Sequence, residues 1–207
     1  MEHWIDLPAP THLVPPAYRG VWRRTLLETP QGQDTTTSVH WLQTDGWHAD
    51  LRVPAGCEAD TLANRAHWQG FFGITHIEQR ANGFPPVCTW QRHWDVQPPR
   101  STPDAGTVVF DTPERLIEYG VHGHYLEVWE RLPGSVGPCR AEQEIDATGQ
   151  PTGRCRFTAG AYTILVRARQ AAWPAATAPD LTLADVVQAH PAQAAALLDF
   201  GMRFFRR

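Results

Sequence analysis

The sequence predicts a mainly β protein: one antiparallel β-barrel of about ten strands, with a short inserted helix and a C-terminal helix. Three observations carry this. Turn-forming stretches recur about every 8 to 12 residues, the spacing of an all-β barrel or sandwich. Several segments alternate residue by residue between two faces, which is the period of a strand. The chain of 207 residues suits a single domain, since one core at this length buries about 70% of the unfolded surface.

After a proline-rich lead, residues 20–28 read as the first strand, and "TPQGQD" turns the chain by its Pro, Gly and Asp content. In 35–43, Thr37, Val39, Trp41 and Gln43 alternate with Thr36, Ser38, His40 and Leu42. The Asp45-Gly46 pair then accepts the positive backbone angles of a tight hairpin turn. In 47–53, Trp47, Ala49, Leu51 and Val53 oppose His48, Asp50 and Arg52. Residues 58–72 hold no Pro and space Leu62, Ala66 and Gln69 at helical intervals, so a short helix or lid is expected. Strands resume at 73–80 and 87–96, the latter with Cys88, Trp90, Arg92, Trp94 and Val96 on one face. Further strands are expected at 106–110, 115–119, 122–132, 140–145, 154–158 and 161–169, each bounded by Gly- or Pro-containing breaks. This places the barrel at about 18–170 within a single domain spanning 1–207. In the tail, at about 181–206, Thr182 and Asp185 form a capping-box start. A helical stripe of Leu183, Val186 and Val187 is interrupted by Pro191 and resumes through Ala194, Leu197, Leu198, Gly201, Met202 and Phe205.

Composition narrows the function classes. The formal net charge is −4 and the sequence pI about 6.2, which gives no nucleic-acid-binding face. All basic residues are Arg, and the cluster Arg203, Arg206, Arg207 reads as a solvated helix end. No window reaches the roughly 18 apolar residues of a membrane span, and no basic-then-apolar leader opens the chain. A cytoplasmic location with reduced thiols is expected. Cys57, Cys88, Cys139 and Cys155 are scattered without finger-like spacing. His122 and His124 fall on one strand face, but the Glu and third His of a cupin-type set are missing at their positions, so no metal and no cofactor are expected. Esterase elbows, phosphate loops and dinucleotide fingerprints are absent.

The triplet Gly20-Val21-Trp22 opens the first strand, and Arg167 and Arg169 lie on the last one before the helical tail. This pattern resembles the lipocalins and wider calycins, in which the indole of such a Gly-x-Trp plugs the closed end of the barrel and a late Arg packs across it. The segments "GVWRRTLLE", "DTTTSVHWLQT", "HADLRVP" and "GHYLEVWERLPG" together are similar to an uncharacterised group of lipocalin-like proteins from bacteria and fungi. The resemblance implies a calycin-type barrel with a floor formed by Gly20, Trp22 and Arg167 or Arg169, and it brings no activity with it. A guanidinium over an indole face gains a cation–π contact and seals the floor.

A barrel of this size holds one small ligand. Its candidate binding residues are Arg52, Trp90, Arg92, Trp94, Tyr125, Glu127 and Trp129, with Tyr125, Glu127 and Trp129 on one face. Either this row faces inward and meets Arg52 or Arg92, or Leu126 and Val128 face inward and the row lies outside. Trp90 and Trp94 also suit plain core packing, and Asp50 with Arg52 suits a pair on a wetted face. The leading expectation is a carrier or sensor of a small, largely apolar or aromatic molecule. The alternatives are a cofactor-independent enzyme using Glu127, Tyr125 and His124 as acid–base groups, and an interaction scaffold whose barrel is filled by its own nine Trp. Phe204 and Phe205 near the chain end make a homodimer a further expectation.

Overall fold

Fourteen strands and three short α-helices organise the computed structural model, which describes residues 3–207. In chain order they are β1 (His3–Asp6), β2 (Gly20–Thr29), β3 (Gly32–Asp34), β4 (Ser38–Gln43), β5 (Trp47–Val53), α1 (Leu62–Arg65), β6 (Gln69–Glu78), β7 (Val87–Asp95), β8 (Ala105–Thr112), β9 (Arg115–Gly120) and β10 (Leu126–Arg131). There follow β11 (Cys139–Ile145), β12 (Pro151–Ala159), β13 (Tyr162–Arg167), α2 (Leu183–Ala189), α3 (Ala194–Leu197) and β14 (Gly201–Arg206). Strands β2 and β4 to β10 are joined as antiparallel neighbours, and β10 returns to pair with β2 from Leu126 opposite Glu28 to Arg131 opposite Trp22. Eight strands therefore close a barrel, with β3 as a short hairpin extension of β2.

The barrel ends at Arg131 and not near residue 170. Strands β11, β12, β13 and β14, with β1 on the far edge, form a separate five-stranded sheet. This sheet lies against the outer face of the barrel, where Val21, Leu42, Trp47, Ala49 and Leu51 meet Phe157, Ile164, Val166 and Met202 in one buried core. The period-2 alternation of β5 now has a direction: its apolar row faces outward into this core, and His48, Asp50 and Arg52 face the barrel interior. A second, smaller core of Trp22, Trp41, Trp90, Trp129, Phe71 and Leu116 fills the lower barrel.

Two other expectations change. The helix expected over 58–72 shrinks to α1, capped by Thr61 accepting from the Asn64 amide. Gln69 to Phe71 pair with β5, because the barrel wall needs strand at that height. In the tail the capping box of Thr182 and Asp185 forms as expected, but helicity stops at Leu197. Residues 201–206 extend along β13, with Met202 opposite Val166 and Phe204 opposite Ile164. Ladder bonds to an otherwise bare strand edge win over a short helical stripe. Arg203 and Arg206 accordingly sit on a strand, and Phe204 is stacked between His40 and Tyr162.

Phe157 is fully buried between barrel and sheet. Phe157→Ala should cost about 3–5 kcal/mol of unfolding free energy, measured by urea denaturation. A loss below about 1 kcal/mol would mean that the second sheet does not share a core with the barrel.

Candidate functional site

One end of the barrel is sealed by aromatic rings. Gly20 has φ +127°, and a Cβ there would fall 2.9 Å from the Ser135 Oγ, so the opening glycine allows close packing at the floor. Trp22 is fully buried and donates its indole N–H to the Tyr18 carbonyl at 2.7 Å. The guanidinium over its ring belongs to Arg131, with Cζ 4.5 Å from the ring centroid. Arg131 also donates to the Ala17 carbonyl at 2.6 Å. The expected partners Arg167 and Arg169 lie elsewhere: Arg167 pairs with Asp199 at 2.8 Å, and Arg169 covers Trp173 at 3.9 Å. The cause is topological, since β13 is not a barrel strand and the last strand that is one ends at Arg131. Trp41 continues the floor, edge-on to Trp90 and Trp129 with centroids at 5.4 and 5.9 Å.

Above this floor lies a cavity of about 350 Å³. It is lined by Arg52, Trp90, Arg92, Tyr125, Glu127 and Trp129 of the residues singled out from sequence, and by Arg24, Asp34, Trp41, Asp50, Phe71, Asp104 and Glu118 besides. Trp94 is absent from it and packs outside against Phe72 and Phe200. The reason is a bulge at His93: Phe72 pairs with Trp94 but Gly73 with Arg92, so one residue is skipped and the face reverses. A matching bulge at Thr25 lets Trp22 and Arg24 point inward below it, and Leu27 and Thr29 above it. His124 is exposed in the turn before β10 and is not among the lining side chains. Among the described residues, no group of three or more His, Cys, Asp or Glu is arranged to hold a metal.

The lining is ionic, and the charges are matched internally. Arg24 bridges Glu127 at 2.7 Å and Asp34 at 2.9 Å. Arg52 holds Asp50 at 2.8 Å and lies 3.8 Å from Glu127. Arg92 joins Asp95 and Asp104, both at 2.5 Å, while lying 3.5 Å over the Phe71 ring. Taking two charges out of water is costly unless they pair in good geometry, and here each buried guanidinium has at least two carboxylates within reach.

Glu118 breaks the pattern. It stands directly opposite Glu127 in the β9–β10 register, so the two side chains leave the sheet on one face about 5 Å apart. Its hydrogen-bond partner is the Tyr125 hydroxyl, which donates at 2.9 Å. Burial pushes the Glu118 carboxyl well above the usual carboxylate range, and the neighbouring Glu127 and Asp104 push it further; Tyr125 and Arg52 offset only part of this. Glu118 is thereby biased toward its neutral acid form. Two glycines make room for the arrangement: a Cβ on Gly106 would lie 2.6 Å from Glu118 Cγ, and one on Gly120 would meet the Tyr125 ring at 2.3 Å. Below, buried His48 shares a hydrogen bond of 3.0 Å with Thr75, whose hydroxyl donates to Gln43. Burial lowers the imidazole to about 3, so it is uncharged.

Sequence reasoning missed Glu118 and Arg24. For Arg24 the signal was present, because alternation from an inward Trp22 places it inside. For Glu118 it was weak, since "RLIEYG" mixes polar and apolar residues on both faces.

Comparison with protein-family models, with curated proteins and with solved structures finds no match. The closed eight-stranded antiparallel barrel is consistent with the lipocalin-like resemblance, and that architecture is as far as the likeness reaches.

The folded state keeps the Glu118 proton to a higher pH than the unfolded chain, whose ordinary value is 4.5. This carboxyl's contribution to stability is therefore complete below that value and is lost as pH rises through the folded pKa. Glu118→Gln should raise the thermal midpoint relative to the parent at about pH 8 and change it little at about pH 4. A lowered midpoint at pH 8 would show that Glu118 is ionised and stabilising.

Proposed function

We propose that the barrel binds a small molecule in the cavity between its tryptophan floor and its ion-paired mouth, as a carrier or sensor. The observation that carries this reading is the cavity itself, at about 350 Å³, within the range of small-molecule sites. Its walls combine aromatic faces from Trp41, Trp90 and Trp129 with fixed carboxyl and guanidinium groups. A ligand with a flat aromatic part and a polar end suits both halves better than a wholly apolar one. The filled-scaffold reading fits only the lower barrel, where Trp22, Trp41 and Trp129 are packed together.

A second reading, an acid–base enzyme acting on the same ligand, is favoured by Glu118 and Glu127. Two facing carboxyls in different environments, one salt-bridged and one biased by burial toward its neutral form, are the arrangement in which one acts as acid and the other as base or charge stabiliser. Glu118 replaces His124 as the acid in this reading, with Tyr125 orienting it.

Native mass spectrometry of the purified protein should show a retained small mass that denaturation releases. Thr29→Trp, which places an indole at the mouth on a position that pairs with Gly32 and joins no ion pair, should lose that mass while keeping the parent's thermal midpoint. Retention unchanged in Thr29→Trp would place the ligand elsewhere and overturn the reading.

A further inference from the structure

We propose that the cavity takes an organic ammonium ion, seated between the facing carboxyls of Glu118 and Glu127 with its carbon frame against Trp90 and Trp129. This rests on the small-molecule reading above and names its ligand class. The lining carries five carboxyls, from Asp34, Asp50, Asp104, Glu118 and Glu127, and four guanidiniums, from Arg24, Arg52, Arg92 and Arg100. Arg24, Arg52 and Arg92 are each committed to carboxylates of the protein, and Arg100 is exposed at the rim. An anion entering the depth of the cavity therefore finds no uncommitted cation. A cation finds Glu118, which is 3% exposed and has no salt bridge, with a single hydrogen bond from Tyr125 among the described residues.

A second, independent observation also points to a ligand. Trp129 is 2% exposed and lines the cavity, yet its indole N–H has no acceptor among the described residues. An unmet buried donor destabilises the empty site, and an oxygen on the ligand beside its ammonium group would meet it. The aromatic faces of Trp90 and Trp129 add the attraction of a cation for an indole.

A cation beside Glu118 sets a proton step. Arg24, Arg52 and Arg92 already have Asp34, Asp50, Asp95, Asp104 and Glu127 as partners, so the protein leaves no guanidinium in the depth of the cavity to compensate an ionised Glu118. The ammonium ion enters as R–NH3+, the Glu118 O–H bond breaks, its proton leaves to solvent, and the new carboxylate pairs with the ammonium. The groups facing Glu118 are Glu127 and Tyr125 on and before β10, Asp104 ahead of β8, Arg52 on β5 and the Cys88 thiol on β7. Burial together with Glu118 and Asp104 raises the thiol, so it stays neutral. Glu118 alone therefore gives up the proton.

The test is titration calorimetry of the full chain with 2-phenylethylamine, its neutral isostere 2-phenylethanol and the anion 3-phenylpropionate, in two buffers of different ionisation heat. The amine should bind at least about tenfold tighter than the alcohol, release up to one proton, and tighten by about tenfold per pH unit while Glu118 is still protonated. In Glu118→Gln the preference for amine over alcohol should fall below about threefold and the proton release should vanish; in Glu118→Asp both should persist. The proposal is overturned if the alcohol or the propionate binds as tightly as the amine, or if Glu118→Gln keeps the preference. Binding of the alcohol alone would leave the barrel a small-molecule site and remove only the ammonium assignment. Failure of all three probes together with the absence of any retained mass would remove both.

Discussion

Charge placed inside a closed sheet must be matched inside it, and this constraint organises the molecule. Where β10 comes back to β2, backbone pairing alone leaves the Arg24 guanidinium and the Glu127 carboxylate almost fully buried, each 5% exposed at the side chain. Their contact at 2.7 Å neutralises both across the seam. Arg52 on β5 and Asp34 at the end of β3 extend the same network around the mouth. Closure of the barrel and pairing of its charges are thus one event. An open sheet would wet these groups and remove the need for partners.

The polar interior explains why the chain carries a second sheet. Strand β5 gives His48, Asp50 and Arg52 to the inner wall and Trp47, Ala49 and Leu51 to the outer one, while Trp22, Trp41, Trp90 and Trp129 stay inside. Those outer residues need a cover, and β11 to β14 with α2 and α3 supply it through Phe157, Ile164, Leu183, Leu197 and Met202. The main hydrophobic driving force therefore lies between barrel and sheet, and the interior is left for polar groups and a cavity. Large rings close only the floor, where Trp22 is pinned by Tyr18 and Arg131.

Strand positions and hairpins were largely legible, because alternation reports local backbone geometry; the β4–β5 hairpin closes at Asp45-Gly46 as expected, but neither residue takes the positive φ expected of a primed turn. The inward direction of Tyr125, Glu127 and Trp129 was one of two readings, and period-2 alternation cannot choose between them. Bulges at Thr25 and His93 reversed the faces midway along β2 and β7, which took Trp94 outside and brought Leu27 in. No local residue pattern announces a one-residue skip. The second sheet was invisible for a similar reason: β12 and β13 read as barrel strands because their apolar content is the same whichever face they cover. That misplacement assigned the floor guanidinium to Arg167 or Arg169 when topology gives it to Arg131. Glu118 became recognisable only through its register partner.

The coupling across the seam is measured most directly by a double-mutant cycle on Arg24 and Glu127, using Arg24→Met, Glu127→Met and the pair, with unfolding free energies from urea denaturation. Each single change removes the closest partner of a buried charge, leaving Arg24 with Asp34 or Glu127 with Arg52 at 3.8 Å, and the double change should cost at least about 1 kcal/mol less than the sum of the two single losses. Additive losses in the double variant would contradict the account, since they would mean that the two groups do not meet inside a closed barrel.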